Sequence, residues 1–293
     1  MGNKTKNRIG LKHNATRKIA GILFVLPWIV GFAWFTLYPF TETIRYAFSN
    51  VRFLPTGIAL DPVGFDNFAQ VLFRDPEFLL QLPGFLMQMF LLVPMVLVFS
   101  VILALLLNSP IKGRRFFRAV FFLPVIIMSG AVLDNLRSFD ATQLNGLHNF
   151  FVYLFIQESL PTFLSVPILF IFDNVVMFLW FSGVQILIFL SGLQKVDRTI
   201  YEAASVDGAS SWQKFWKITI PILRPFIFLC ALYTVVDIAN SPMNMIISLI
   251  QKGMFELTKG FGFSAAVTWL YFVLVVGIAA LYFCILGRSE KER

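Results

Sequence analysis

Long apolar runs separated by short polar segments dominate the chain. Residues 19–40 carry no charge and are long enough to cross a hydrocarbon core of about 30 Å as a helix rising about 1.5 Å per residue. Further runs of sufficient length, each bounded by Pro, Gly or charge, lie at about 85–107, 116–136, 167–193, 222–243 and 263–286. The pattern predicts an all-α membrane protein with six transmembrane helices.

Two segments need separate interpretation. Residues 150–156 are apolar but too short to cross a bilayer as a helix, so we interpret them as an interfacial stretch. The run at 19–40 is too long for the apolar core of a signal peptide and is followed by no small-residue cleavage pattern. We therefore expect the chain to keep its N-terminus.

Basic residues predict the orientation of the spans. Eighteen of the 24 Lys and Arg residues fall in the two tails, 1–18 and 287–293, and in the loops after the second and fourth spans. Short cytoplasmic loops carry such an excess, so both termini are expected in the cytoplasm, together with the loop at about 194–221. Residues 19–286 then form one six-span transmembrane domain between two cytoplasmic tails.

Composition supports a membrane location and explains the net charge. The chain is 58% hydrophobic and 14% charged, with a mean hydropathy of +0.77, which is more apolar surface than a water-soluble domain can bury. The net charge of +8 follows from the orientation signal and does not require a nucleic-acid partner. Cys230 and Cys284 lie inside apolar runs without metal-ligand spacing, so neither a disulfide nor a metal site is expected.

The loop at 194–221 predicts a helix–turn–helix. Residues 199–206 suit a short helix, and Gly208 suits the left-handed conformation that ends one. Ser210 or Ser211 can cap a second helix. Paired alanines allow close approach of a partner backbone, and Glu202 and Asp207 offer it charged acceptors. The loop is therefore predicted to dock another protein.

The segment YEAASVDGASSWQKFWKITIPILRP in this loop fills every position of a known motif. The matching residues are Glu202, Ala203, Ala204, Asp207, Gly208, Ala209 and Pro221. The segment resembles the EAA motif of permease subunits in binding-protein-dependent ABC importers. That resemblance implies a type I ABC importer permease fold, in which this loop couples the spans to an ATP-binding cassette subunit.

Other segments resemble the carbohydrate-uptake (MalF/UgpA-like) branch of this family. They are Tyr38-Pro39 at the end of span one, Gly64, Asp66, Asn67 and Phe68 before span two, the Arg114–Arg118 segment, and Ser191-Gly192-Leu193. The usual Gly-Gly-Pro segment after span five is missing. The resemblance implies a bacterial inner-membrane, multi-pass subunit that imports a carbohydrate with a second permease in a heterodimer, two cassette ATPases and an extracellular solute-binding protein.

The chain lacks the motifs of ATP hydrolysis and metal catalysis. No Gly-Lys-Ser/Thr phosphate loop is present, and the two histidines, His13 and His148, form no zinc-ligand helix. We therefore expect a transport subunit without catalytic residues, cofactor or metal, and with ATP and Mg²⁺ bound by partner subunits.

Polar residues inside the spans are candidates for a substrate pathway, because such groups are costly in lipid. In span five the candidates share one predicted helical face: Thr234, Asp237, Asn240, Ser241 and Asn244. The resemblance places the sugar site near Trp180, Ser182, Gln185, Thr234 and Asn240. Asp237 is the best single candidate from its charge. The alternative is that these residues only bind neighbouring helices.

Two other functions stay open. The permease could serve a different small solute, since nothing in the spans identifies the cargo. A solitary ion-coupled carrier is the alternative from another class, although such carriers contain internal repeats that are not evident here.

Overall fold

The computed structural model describes residues 21–55, 57–109, 112–113, 116–117, 119–121, 151–173, 175–256 and 258–287. Two strands in these residues are β1 Ser49–Leu54 and β2 Gly57–Pro62. The helices are α1 Gly21–Ala47, α2 Asp66–Ala69, α3 Glu77–Asn108, α4 Phe151–Ser159, α5 Thr162–Asp173, α6 Val175–Phe181, α7 Gly183–Gln194, α8 Arg198–Val206, α9 Ser211–Lys214, α10 Ile220–Asn240, α11 Met245–Phe255 and α12 Gly260–Gly287.

Four helical stretches of the described residues are long and apolar enough to cross a membrane. They are α1, α3, the stretch Ser211–Phe255 that contains α10, and α12. These correspond to predicted spans one, two, five and six. Most of predicted span three, at 116–136, lies outside the described residues, and so do the tail at 1–18, residues 288–293, His13 and His148.

Predicted span four is divided. Asn174 lies outside the described residues, and within the described part of this span α6 ends at Phe181 and α7 begins at Gly183. Ser182 lies at this interruption, and its hydroxyl donates to the backbone oxygen of Phe178 at 2.5 Å. Serine side chains that bond their own helix backbone in this way often bend helices. Ser182 keeps helical backbone angles, and its N–H and C=O continue the backbone hydrogen bonds to Phe178 and Ile186, so the interruption is local.

The chain divides into two compact units. The first contains residues up to Asp75 together with Lys252–Trp269, and the second contains Pro76–Gln251 together with the residues from Leu270 onward. In the second unit, α7 packs against α3 and α10, and α10 packs against α3. Leu107, Ile186 and Leu190 form an apolar cluster where α7 meets α3. This three-helix arrangement brings residues of predicted spans two, four and five together.

A β-hairpin that we did not predict lies in the first unit. Strands β1 and β2 pair antiparallel, with Val51 opposite Leu60. The side chain of Asn67 secures the hairpin by donating to the backbone oxygens of Ala47 and Ser49, at 2.9 and 3.0 Å. Because Asn67 is buried, these bonds satisfy an amide that would otherwise be costly.

A nearly buried ion pair closes the same unit. Lys259 Nζ lies 2.9 Å from Asp75 Oδ2, and both side chains are less than one-sixth exposed. The ammonium also lies 5.5 Å from the centre of the Phe263 ring, which faces it as a cation–π partner. The ion pair therefore links Asp75, two residues before α3, to Lys259, the residue directly before α12.

We expect Gly262→Ala to destabilise the protein, although alanine normally favours a helix interior. A β-carbon at position 262 would overlap the backbone oxygen of Ser49 and lie 2.9 Å from Nδ2 of Asn67. We expect Tm in detergent to fall by about 5 °C, the effect of losing roughly 2 kcal/mol in a chain of this size. Gly277→Ala is the matched control in α12, since nothing lies within 4 Å of its β-carbon. Equal Tm values for the two variants would contradict this close approach.

Candidate functional site: the helix–turn–helix loop and the polar groups of the spans

The first helix of the loop, α8, begins with a side-chain cap. The carboxylate of Asp197 accepts the backbone N–H of Thr199 at 3.0 Å. This hydrogen bond holds the pKa of Asp197 below its usual value. A depressed carboxyl pKa means that the cap is formed at neutral pH and is lost only as the pH falls through that pKa.

The turn between the helices has the predicted geometry. Helix α8 ends at Val206, and Gly208 adopts a φ of 78°, the left-handed conformation expected of it. Ser210 caps α9 in a reciprocal box with Gln213: the serine hydroxyl accepts the Gln213 N–H at 3.3 Å, and the glutamine side chain accepts the Ser210 N–H at 2.9 Å. The predicted helix–turn–helix is confirmed, with Ser210 rather than Ser211 as the cap.

Two side-chain hydrogen bonds join the arms of the loop. Lys214 Nζ donates to Ser205 Oγ at 2.9 Å, and the hydroxyls of Tyr201 and Thr219 lie 3.0 Å apart. Thr219 is buried and directly precedes α10. Both bonds cross from α8 to the chain that enters α10.

An open groove runs along this loop. Its volume is about 400 Å³, and its lining is Ala204, Asp207, Gly208, Ala209, Gln213, Lys214, Lys217 and Ile218. Four of the seven predicted docking residues therefore share one surface. Glu202 and Ala203 lie exposed on α8, and Pro221 is half-buried in the first turn of α10. The lining of the groove contains a carboxylate, two ammonium groups and apolar side chains.

In the spans, Gln185 and Thr234 meet. The amide nitrogen of Gln185 on α7 donates to the hydroxyl of Thr234 on α10 at 2.8 Å, and both residues are fully buried. The Thr234 hydroxyl in turn donates to the backbone oxygen of Cys230 at 2.7 Å. The other end of the amide, Gln185 Oε1, is buried without a hydrogen-bond partner among the described residues.

The remaining pathway candidates have different surroundings. Ser182 is buried and bonds its own helix, while the indole nitrogen of Trp180 is buried with no partner among the described residues. Asn240 is exposed and donates to the backbone oxygen of Val236 at 2.8 Å. Asp237 is half-buried. Among the described candidates, the hydrogen bond between Gln185 and Thr234 joins two predicted spans, four and five.

Ser241 and Asn244 do not share the helical face predicted for span five. Helix α10 ends at Asn240, and Ser241 has an extended ψ of 132° because it precedes Pro242. Asn244 lies beyond this break. Its amide donates to Tyr271 Oη at 2.7 Å and its oxygen accepts the N–H of Ile246 at 2.9 Å. These contacts secure the start of α11, so the shared-face prediction was wrong for both residues.

Known proteins resemble the chain over most of its length, although no family model matches it. The arabinooligosaccharides transport system permease protein AraP of Halalkalibacterium halodurans is 28% identical over 91% of this chain and 88% of its own. The multiple sugar-binding transport system permease protein MsmF of Streptococcus mutans is 30% identical over 69% of this chain and 68% of its own. The chain belongs to the ABC transporter permease family.

A solved structure supports the fold of this permease. A bacterial alginate ABC transporter in complex with an alginate pentasaccharide-bound periplasmic protein has a chain that matches with a TM-score of 0.62. The match covers 94% of the permease and 97% of that chain at 18% identity. AraP and MsmF are transport system permease proteins, and four helical stretches of the described residues are long and apolar enough to cross a membrane, so this chain is an integral membrane transport subunit and not an enzyme, as predicted.

One feature of the permease loop escaped the sequence reasoning. Trp212 and Trp216 are 69% and 50% exposed beside the groove, and their ring centres lie 5.6 Å apart. Val206, at the end of α8, is 88% exposed. Trp212 and Trp216 follow the Ser210 cap and are four residues apart, a spacing that places them on one face of a helix. This spacing is the sequence signal that could have indicated the exposed aromatic pair.

Proposed function

We propose that the permease forms half of the translocation pathway of a binding-protein-dependent importer for a carbohydrate, and that its helix–turn–helix loop docks an ATP-binding cassette subunit. The groove beside Gly208 is the observation that carries this proposal. Docking surfaces combine apolar and charged groups, and the lining of this groove contains both. The docking residues are Glu202, Ala203, Ala204, Asp207, Gly208, Ala209 and Pro221.

Exposed side chains around the loop support a protein partner. Val206, Trp212 and Trp216 together leave a large apolar area uncovered outside the predicted spans. Tryptophan is enriched among the residues that contribute most to protein interfaces. A solitary ion-coupled carrier has no need of such a surface, so the exposed aromatic groups favour the assembled importer.

The proposed topology has six spans with both termini in the cytoplasm. Its support is the concentration of basic residues in the tails and in two of the predicted loops. In this arrangement the domain covers residues 19–286, and the loop at about 194–221 faces the cytoplasmic ATPase.

The relatives favour a carbohydrate as the cargo, because the name of AraP refers to arabinooligosaccharides and the name of MsmF to multiple sugars. The amide of Gln185 and the hydroxyl of Thr234 suit the hydroxyl groups of a neutral polyol. Trp180 supplies an indole for stacking, while Ser182, Asp237 and Asn240 complete the proposed pathway. A different small solute remains the second candidate, since amides and hydroxyls also bind other polar cargo.

The proposed assembly contains a second permease as a heterodimer partner, two cassette ATPases and an extracellular solute-binding protein. ATP and Mg²⁺ bind to the ATPases in this assembly, and the permease holds no cofactor. ATP-driven closure of the ATPases moves α8, and the Tyr201 and Lys214 hydrogen bonds pass that movement to α10.

Purification from native membranes in mild detergent tests the proposal. We expect mass spectrometry to find a cassette ATPase and a second permease with the tagged chain. After reconstitution with the binding protein, the complex should accumulate a radiolabelled sugar from a panel of arabinotriose, lactose and maltose only when ATP and Mg²⁺ are supplied on the ATPase side. A chain that purifies alone and transports without ATP would refute the importer. ATP-dependent transport of another solute would refute only the carbohydrate assignment.

A further inference from the structure

A second cavity, whose lining is mainly apolar with a few polar side chains, lies within the larger unit. Its volume is about 260 Å³, and none of its lining residues belongs to the pathway proposed above. Residues Gln81, Gly84, Phe85 and Gln88 of α3 form one side. The other side is formed by Phe170 of α5, by methionines, and by the segment around Asn244 that separates α10 from α11.

The α3 side of this cavity presents two amides from one helical face. Gln81, Phe85 and Gln88 follow a spacing of four and three residues, which places them above one another on a helix. Polar side chains are rare in an apolar span because their transfer into lipid is costly. Gln81 Oε1 is buried with no hydrogen-bond partner among the described residues. The cavity wall therefore contains an acceptor whose hydrogen bond is not made within the described residues.

The opposite side is a rigid helix break. Asn244 donates to Tyr271 Oη at 2.7 Å, and the Tyr271 hydroxyl donates to the backbone oxygen of Ala239 at 2.8 Å. Backbone that leaves the helical conformation at membrane depth is tolerated only where protein buries it or where it borders a cavity containing water. Transporter binding sites are commonly built at such interruptions. The break therefore holds a wall of the cavity in a fixed position.

We propose that this cavity is a sugar-binding subsite of the permease, in which Gln81 and Gln88 hydrogen-bond the hydroxyl groups of a sugar ring. Phe85 and Phe170 provide the aromatic contact that suits the apolar face of such a ring. The volume lies just below the roughly 300–1,000 Å³ of pockets that hold drug-sized molecules, so the cavity takes one ring of an oligosaccharide. The subsite rests on the proposed carbohydrate import and adds α3 to the residues that contact the cargo.

Replacing the amides tests the subsite in the reconstituted holo-complex. Initial uptake is measured against concentration for each sugar of the panel, arabinotriose, lactose and maltose. We expect Gln81→Leu and Gln88→Leu each to raise the half-saturating concentration about five- to tenfold, the effect of one lost hydrogen bond to a buried acceptor or donor. Gln251→Leu is the matched control, because Gln251 is exposed on α11 and does not border the cavity.

A steric variant provides a second measurement. Gly84 borders the cavity, and no atom lies within 4 Å of the position of its β-carbon, so Gly84→Leu adds volume without a clash at that carbon. Gly277→Leu adds the same side chain at an equally open position of α12. We expect Gly84→Leu, and not Gly277→Leu, to reduce uptake of the transported sugar at least about fivefold, while both complexes keep the same Tm.

Cysteine labelling distinguishes occupancy of the cavity by the sugar from misfolding of a variant. In a Cys284→Ser background, Gln88→Cys should react with N-ethylmaleimide, and the transported sugar should slow that reaction in the assembled complex. If the unaltered complex imports no panel sugar, both the carbohydrate function and the subsite are refuted. If it imports a sugar, but the Gln81 and Gln88 variants match Gln251→Leu and the sugar gives no protection, the subsite alone is refuted.

Discussion

Gly208→Asp should release the ATPase from the permease. Gly208 lies in the groove that we propose as the docking surface, and no atom lies within 4 Å of the position of its β-carbon. The new side chain therefore meets no neighbouring atom at its β-carbon in the isolated permease, although the left-handed backbone strains any residue other than glycine there. Burying an unpaired charge in an interface costs several kcal/mol, so we expect the recovered ATPase to fall at least about tenfold. Quantitative mass spectrometry of the tagged complex measures this loss.

A second glycine provides the control for backbone strain. Gly64 has a φ of 60°, close to the 78° of Gly208, and the position of its β-carbon is equally open. Gly64→Asp thus imposes a similar left-handed strain and adds the same charge, but it lies far along the sequence from the loop. We expect this variant to retain the ATPase. Equal loss from both variants would indicate a general folding defect, and equal retention would refute the docking groove.

The local structure of the loop could be predicted because its signals are local. Gly208 in a left-handed turn and a serine cap depend on residues that are neighbours in the sequence, and both predictions hold. The aromatic cluster of Trp212 and Trp216 also had a helical spacing that could have indicated it. The role of the loop in docking follows from exposure, which the sequence does not give directly.

Breaks within the spans were harder to predict. Hydrophobicity identifies an apolar run but does not show where the helix within it ends, so the division at Ser182 was missed. The end of α10 had a readable signal in Pro242, since the residue before a proline disfavours helical geometry. The prediction that Ser241 and Asn244 share a helical face with Asn240 did not take Pro242 into account. Contacts such as Asn67 with the hairpin join residues about twenty positions apart and require the folded chain.

Replacing Thr234 and Gln185 separately and together should distinguish a pathway role from packing. Thr234→Val removes the acceptor of the 2.8 Å bond and leaves the Gln185 amide nitrogen buried without its partner. We expect this single change to lower the free energy of unfolding by about 1–2 kcal/mol. Gln185→Leu combined with Thr234→Val removes both polar partners, and an apolar pair of similar volume should recover most of that stability.

Transport by the same double variant decides between the two roles. If the pair only packs, the double variant should regain both its Tm and its sugar uptake. We expect it to regain Tm alone and to keep uptake at least about tenfold below that of the unaltered complex, because Gln185 Oε1 is the buried acceptor left for a sugar hydroxyl. Ser100→Ala serves as the control, since it removes a buried hydroxyl of α3 that lies outside the proposed pathway. Full recovery of uptake in the double variant would assign Gln185 and Thr234 to helix packing.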